Sequence, residues 1–258
     1  MDFINRLHNA WKIFTLSLDF VRRDKSLMIV PTLMMLSGIA FCVLALIGFI
    51  LSEALAQEYI YIGGLSFLLF AQLWSTFLGA MQSWMVHEVA HGKDTTLASG
   101  FKRAIANLKD ILAYAVVFMV VSLLLGSLRN KGKVGQVAAG FLDAIAGIVG
   151  KLVLPAMIVT ERSFVDAVKQ LKDATHALPE IAAYEIGIGP LTTLAIFAGI
   201  LLTAVFALSL GAIVAIVFAV VFIIALILLS TFVNNTYYTL LYMTLIEKKK
   251  IKGLDLKF

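Results

Sequence analysis

Three residues in the first half of the chain have the types and spacing of a metal-dependent hydrolase: His87, Glu88 and His91, in the order His-Glu-x-x-His. On a helix, residues four apart share a face, so both imidazoles can bind one Zn²⁺ while Glu88 acts as general base on a metal-bound water. A catalytic zinc needs a third protein ligand. Glu161 is the candidate, with Asp166 close to it in sequence and both expected on the same side of the membrane. The acidic pair lacks the spacing of membrane metalloproteases, and no Asp-Gly partner motif accompanies it. The competing reading is plain: two interfacial histidines and an acid at a helix end.

Asp143, Lys151 and Glu185 form a second group, because each lies inside an apolar stretch. A charge at the bilayer centre costs ~2.5–3.5 kcal/mol on insertion scales, so such residues face a partner, a cavity or another subunit. Asp143 and Lys151 are eight residues apart, roughly on one helical face. They either line a path for an ion or solute or make a structural polar contact, with Lys151 snorkelling to the interface. Glu185 precedes Gly187, Gly189 and Pro190, which predict a break or kink. No P-loop, Gly-x-Ser-x-Gly, Cys-x-x-Cys or dinucleotide fingerprint occurs.

The elements that must position these residues are set by composition. The chain of 258 residues is 61% hydrophobic and 14% charged, with a mean hydropathy of +0.96. A soluble domain is about 45–50% apolar and about 25% charged. The apolar surplus has to be solvated by a bilayer. The net charge of +5 flanks apolar runs, which points to topology and anionic lipid and not to nucleic acid. The single cysteine, Cys42, excludes an intrachain disulfide. The first residues carry Asp2, Asp19 and Asp24 and lack the compact apolar core of a signal peptide.

Apolar runs predict six spans: about Ser26–Ser52, Tyr59–Met85, Ile111–Leu128, Val134–Val159, Ile181–Leu208 and Ala212–Ile246. The second is expected to continue through His91 and stop at Gly92. The uninterrupted run from Leu191 to Val233 is about twice the bilayer core as a helix, so it must fold back, at Ser209-Leu210-Gly211. Three amphipathic stretches, Asp2–Lys25, Thr95–Asp110 and Glu161–Leu178, are expected to lie in the interface. Tyr237, Tyr238 and Tyr242 predict an aromatic belt before the lysine-rich tail. Seventeen of the 21 Lys and Arg residues fall on the side that holds both termini. The expectation is a cell-membrane protein with cytoplasmic termini, in which Arg129, Lys131 and Lys133 are a local exception.

The stretch Phe101–Asp110 aligns without gaps to Phe164–Asp173, with identical Phe, Ala, Leu, Lys and Asp. The chain therefore reads as one membrane domain of three parallel units, 1–91, 92–160 and 161–258, each an amphipathic helix followed by a hairpin of two spans. The fourth span has small-xxx-small pairs, Gly140/Ala144 and Ala146/Gly150, that suit close helix approach and a homo-oligomer. The expected class is an all-α polytopic bundle in contact with lipid. The expected function is non-enzymatic: an oligomeric pore, a transporter-like protein or a membrane-organising protein. The alternative is a membrane-embedded zinc metalloprotease using His87, Glu88 and His91.

Trp11, Asp24-Lys25 and Pro31 before the first span carry a resemblance, as do Gly92 through Leu97 and Phe101 after the second. Pro155, Glu161 and Asp166-Ala167 extend it around the end of the fourth. On these residues the chain resembles a prokaryotic family of roughly six-span membrane proteins catalogued as a domain of unknown function. The resemblance implies an architecture over most of the chain and supplies no activity.

Overall fold

The computed structural model describes residues 3–51, 57–172 and 178–246. Among them there is no strand. Nine α-helices follow one another: α1 Phe3–Arg23, α2 Ile29–Leu51, α3 Gln57–Ala90, α4 Leu97–Ala106, α5 Leu108–Arg129, α6 Gly132–Thr160, α7 Phe164–Lys172, α8 Leu178–Leu210 and α9 Ala212–Leu241. A 3-10 turn, Lys25–Met28, joins α1 to α2, and a π-helical turn, Tyr242–Ile246, follows α9. The order is amphipathic, long, long, three times over.

Four helical stretches are long and apolar enough to cross a membrane: Lys25–Leu51, Tyr59–Ala90, Leu108–Arg129 and Ala212–Thr244. The helices α6 and α8 are also long, but their apolar described stretches are shorter, Val149–Thr160 and Ala195–Leu210.

Local chemistry sets most boundaries. Gly92 stands at φ +73° after α3, a left-handed position that glycine enters without a Cβ penalty. Its amide and that of Lys93 return to the carbonyls of Val89 and Glu88. Thr96 caps α4 by accepting from the Ser99 amide, and the Ser99 hydroxyl completes a capping box. The amphipathic stretch Thr95–Asp110 does not form one helix. It breaks at Asn107, whose backbone leaves the helical region at φ −104°, ψ 17°. The chain turns between α8 and α9 at Gly211, as the length of the apolar run requires. The break expected at Gly187–Pro190 is absent from the backbone, which continues as helix through α8. A proline in a long apolar helix is tolerated when the freed carbonyl finds another partner.

Packing repeats itself around a centre. The second long helices, α3, α6 and α9, touch one another. Each first long helix lies on its own hairpin partner: α2 on α3, α5 on α6, α8 on α9. Further, α5 lies on α3 and α2 lies on α9. The amphipathic helices follow the same rule. Each packs on the hairpin that precedes it: α4 on α3, α7 on α6 and α5, and α1 on α8 and α9, which closes the cycle.

The interior is concentrated at the end where the amphipathic helices lie. Phe20 of α1, Met85 of α3, Ile111 of α5, Met157 of α6 and Phe232 and Tyr237 of α9 are all buried there. Towards the opposite end large apolar side chains stand exposed: Phe49 at 76%, Val134 at 84%, Leu208 at 91% and Ile213 at 80%. Tyr237, Tyr238 and Tyr242 do not form a belt at the lipid interface. They are buried core residues, because the end of α9 lies between α3, α6 and α1.

The gapless repeat marks a real packing position. Its shared alanines, Ala104 in α4 and Ala167 in α7, are both fully buried. A larger side chain at either site has to push its helix off the hairpin below, at a typical overpacking cost of about 1–3 kcal/mol. In denaturant titrations of the detergent-solubilised protein, Ala104→Leu is expected to lower stability by that amount. Exposed Ala106→Leu in the same helix should stay within about 0.5 kcal/mol of the parent.

Candidate functional site

Two groups of polar residues are built by this arrangement. One sits at the helix joints. The other lies on the central contact between α3, α6 and α9.

At the first joint, His87 and Glu88 lie in the last turn of α3 and His91 directly follows it. The His87 ring stacks on Trp84 at 4.9 Å and tilts against His91 at 4.3 Å. His91 Nδ1 lies 2.8 Å from the His87 carbonyl oxygen. Glu88 turns towards the loop before α4. Its Oε2 accepts from the hydroxyls of Thr95 and Ser99, both at 2.6 Å. The Thr95 amide in turn donates to Asp24 at 3.1 Å, and the Ser26 amide donates to the other oxygen of that carboxylate at 2.9 Å. Burial pushes the Asp24 carboxyl up, and the bonds from Ser26 and from the Thr95 amide outweigh it, so its pKa sits below the ordinary value.

At the second joint, Arg103 of α4 is largely buried. It donates through Nε and Nη2 to the Ile158 carbonyl at 2.9 and 2.6 Å. It pairs with Glu161 and lies over the Trp84 ring at 4.3 Å. Glu161 ends α6 in the left-handed region at φ 56°, where a non-glycine residue is uncommon. The Phe164 amide at the start of α7 donates to Asp110 at 2.8 Å, and Asp166 exchanges bonds with Ser163 as the cap of α7.

The proposed zinc ligands are therefore distributed over two joints. His87 and His91 share a stack, Glu88 is held by two hydroxyls, and Glu161 is held by Arg103. Among the described residues no three His, Cys, Asp or Glu side chains come together as a metal site. The charges expected inside the membrane are also separated. Asp143 pairs with Arg129 across the α5–α6 turn, which neutralises one of the lysines and arginines on the exceptional side. Lys151 reaches Tyr238, with Nζ 3.4 Å from its hydroxyl and 4.9 Å from the ring centroid. The side chain of Glu185 lies outside the described residues.

The central group was not singled out from the sequence. Gln82, Ser83, Thr236 and Thr239 are buried between α3 and α9. Asn235 Nδ2 donates to Gln82 Oε1 at 3.0 Å, Gln82 Nε2 donates to the Phe232 carbonyl at 3.4 Å, and the Thr239 hydroxyl donates to Ser83 Oγ at 3.2 Å. The Thr236 hydroxyl is buried and has no hydrogen-bond partner among the described residues. The available signal was Asn234-Asn235 inside the last apolar run: neutral amides are rare in spans and cross-link helices there.

Gln82 and Lys151 occupy corresponding places. Each precedes by ten residues the left-handed residue that ends its helix, Gly92 or Glu161. Ten residues are about 15 Å of helix.

Residues 60–253, from early in α3 to the C-terminal tail, match a family of unknown function, DUF6159. The chain belongs to this family. No curated protein and no solved structure matches the chain. The family assigns no activity, so the joints and the central seam have to speak for themselves.

Two outcomes follow at the joints. Arg103→Gln leaves the Ile158 carbonyl and Glu161 without a charged donor and should cost about 1.5–3 kcal/mol. Arg103→Lys should recover only part of this, because an ammonium cannot supply the planar fork. For Asp24 the folded pKa is depressed below the ordinary 3.8. Its contribution is fully present above that ordinary value and is lost as pH falls through the lower folded value. Asp24→Asn should therefore flatten the acid limb of a stability-versus-pH curve, measured by denaturant titration from pH 6 down to about 3.

Proposed function

We propose that this is a transporter-like integral membrane protein with six spans, built as one membrane domain from three parallel units, with both termini cytoplasmic and no enzymatic activity. The observation that carries the proposal is the polar seam where the second long helices of the three units converge. Parallel repeats around an axis along the membrane normal are one of the arrangements used by secondary transporters, with solute sites near the midplane at the contact between repeats. Here that contact holds the amides of Gln82 and Asn235, the hydroxyls of Ser83, Thr236 and Thr239, and the ammonium of Lys151. A charge inside a membrane span is costly and marks a path or a site.

Lysine and arginine placement supports the orientation. The amphipathic helices lie at the ends of the bundle where that bias puts the cytoplasm. Membrane organisation by a homo-oligomer is the second reading. It is favoured by Gly140 and Gly147 of α6, where an added Cβ would meet nothing within 4 Å, so this small-residue face is open to a neighbouring copy. The second small pair serves the chain itself: Phe118 packs within 2.7 Å of where a Gly150 Cβ would stand. The zinc-hydrolase alternative rests on His87, Glu88 and His91 alone. Their present contacts give Glu88 a structural duty at the joint.

Liposomes loaded with inorganic ions and small polar solutes test the proposal. The expected result is solute movement by the purified protein that falls at least several-fold in Asn235→Leu and in Lys151→Met, with metal content below stoichiometric. An inert parent protein that runs as a stable oligomer would transfer the case to membrane organisation. Stoichiometric zinc that disappears in His87→Ala would transfer it to hydrolysis.

A further inference from the structure

Outside the seam, one unexplained feature is a groove of about 650 Å³ between α5, α6 and α7. Its volume is in the range of small-molecule sites. Its wall is apolar, with Val121 and Leu124 from α5, Leu142 and Ala146 from α6 and Val165 from α7, and it carries one charge, Lys169, on the α7 side. The groove follows α5 from Val117 to Leu125, about 12 Å at 1.5 Å per residue. That is close to the depth of one leaflet, half of the ~30 Å core.

We infer that this groove holds one acyl chain of an anionic phospholipid from the leaflet in which α7 lies, with the headgroup phosphate on Lys169. The inference rests on membrane insertion, not on transport.

Three observations carry it. The groove opens sideways between helices whose outer faces are apolar, so the medium that meets it is lipid. Its wall offers no polar partner to water or to a polar solute. Its one cation stands on the amphipathic helix, at the level where headgroups lie. Lys169 has a weak competitor in Asp166, 3.9 Å away and exposed. That carboxylate already accepts from the Ser163 hydroxyl at 2.7 Å, and an exposed pair at such a distance is worth little. A lysine close to an anionic membrane surface gains more, about 1 kcal/mol, which is roughly a five-fold preference.

Native mass spectrometry of the full chain released from nanodiscs of equal phosphatidylglycerol and phosphatidylcholine decides the matter. The expected result is a retained lipid on each protomer, with phosphatidylglycerol favoured about five-fold. Lys169→Gln should bring the two lipids towards parity without loss of the fold, since the side chain is exposed. Ala146→Trp fills the groove and should reduce retention of both lipids several-fold. If that variant does not fold, the Lys169→Gln result still decides. Retention without headgroup preference in the parent, or retention unchanged in both variants, would overturn the inference. So would a lipid-free dimer, which gives the groove to a second copy. None of these outcomes depends on solute movement, so the transport proposal stands or falls separately.

Discussion

The structure depends on how helix ends are satisfied where water is scarce. An α-helix leaves its first amides and last carbonyls without internal partners, and an unpaired backbone group in an apolar medium costs several kcal/mol. Here long helices end against amphipathic helices, and side chains from one element complete the backbone of another. Asp24 accepts the Thr95 amide, Asp110 accepts the Phe164 amide, and Arg103 donates to the Ile158 carbonyl. These bonds do more than cap. Each ties an amphipathic helix, or the loop beside it, to a neighbouring element, while the amphipathic helices pack from hairpin to hairpin, with α1 on α8 and α9.

The same bonds explain the uneven interior. Side chains near the joints are held from two directions, by the helices of the bundle and by the amphipathic helix across them, and they are buried. Farther along α2, α8 and α9 there is no crossing element among the described residues, and large apolar residues such as Phe49 and Leu208 stay exposed. In lipid this carries little penalty, because hydrocarbon solvates them as well as a protein interior would. The groove beside α7 lies at the transition between these two regimes.

Composition and hydropathy were enough to read an all-helical chain and the turn at Gly211, because span length and backbone satisfaction leave few alternatives. The repeat was legible from five identities, and the burial of Ala104 and Ala167 gives it a physical meaning. Other features needed three dimensions. Asn107 interrupts a stretch whose periodicity continues on both sides, so the break does not show in the pattern. The tyrosines at the end of α9 have the composition of a belt, and only the neighbouring helices reveal that they are enclosed. Asp143 and Lys151 share a helical face, yet they pair with different elements, Arg129 and Tyr238. Pairing across helices is not encoded in spacing along one of them.

The two polar groups differ in what their energetics can account for. Several bonds at the joints complete backbone groups at helix ends: the Thr95 and Phe164 amides and the Ile158 carbonyl. Glu88 belongs with them: its neighbours Thr95 and Ser99 give it two short bonds, and an acid at a helix end needs no chemistry to explain it. The seam does not offset its cost in the same way. Interhelical side-chain bonds in membranes average only ~0.6 kcal/mol, and apolar residues of similar size at Gln82, Asn235 and Thr239 would pack at least as well. Among the described residues the seam even leaves the Thr236 hydroxyl unpaired, and a lysine, Lys151, reaches Tyr238 beside it. Stability alone therefore gives this arrangement only a small advantage. Under the transport proposal, the neutral amides at the centre of the bundle are the groups whose mutual bonds a passing solute would replace.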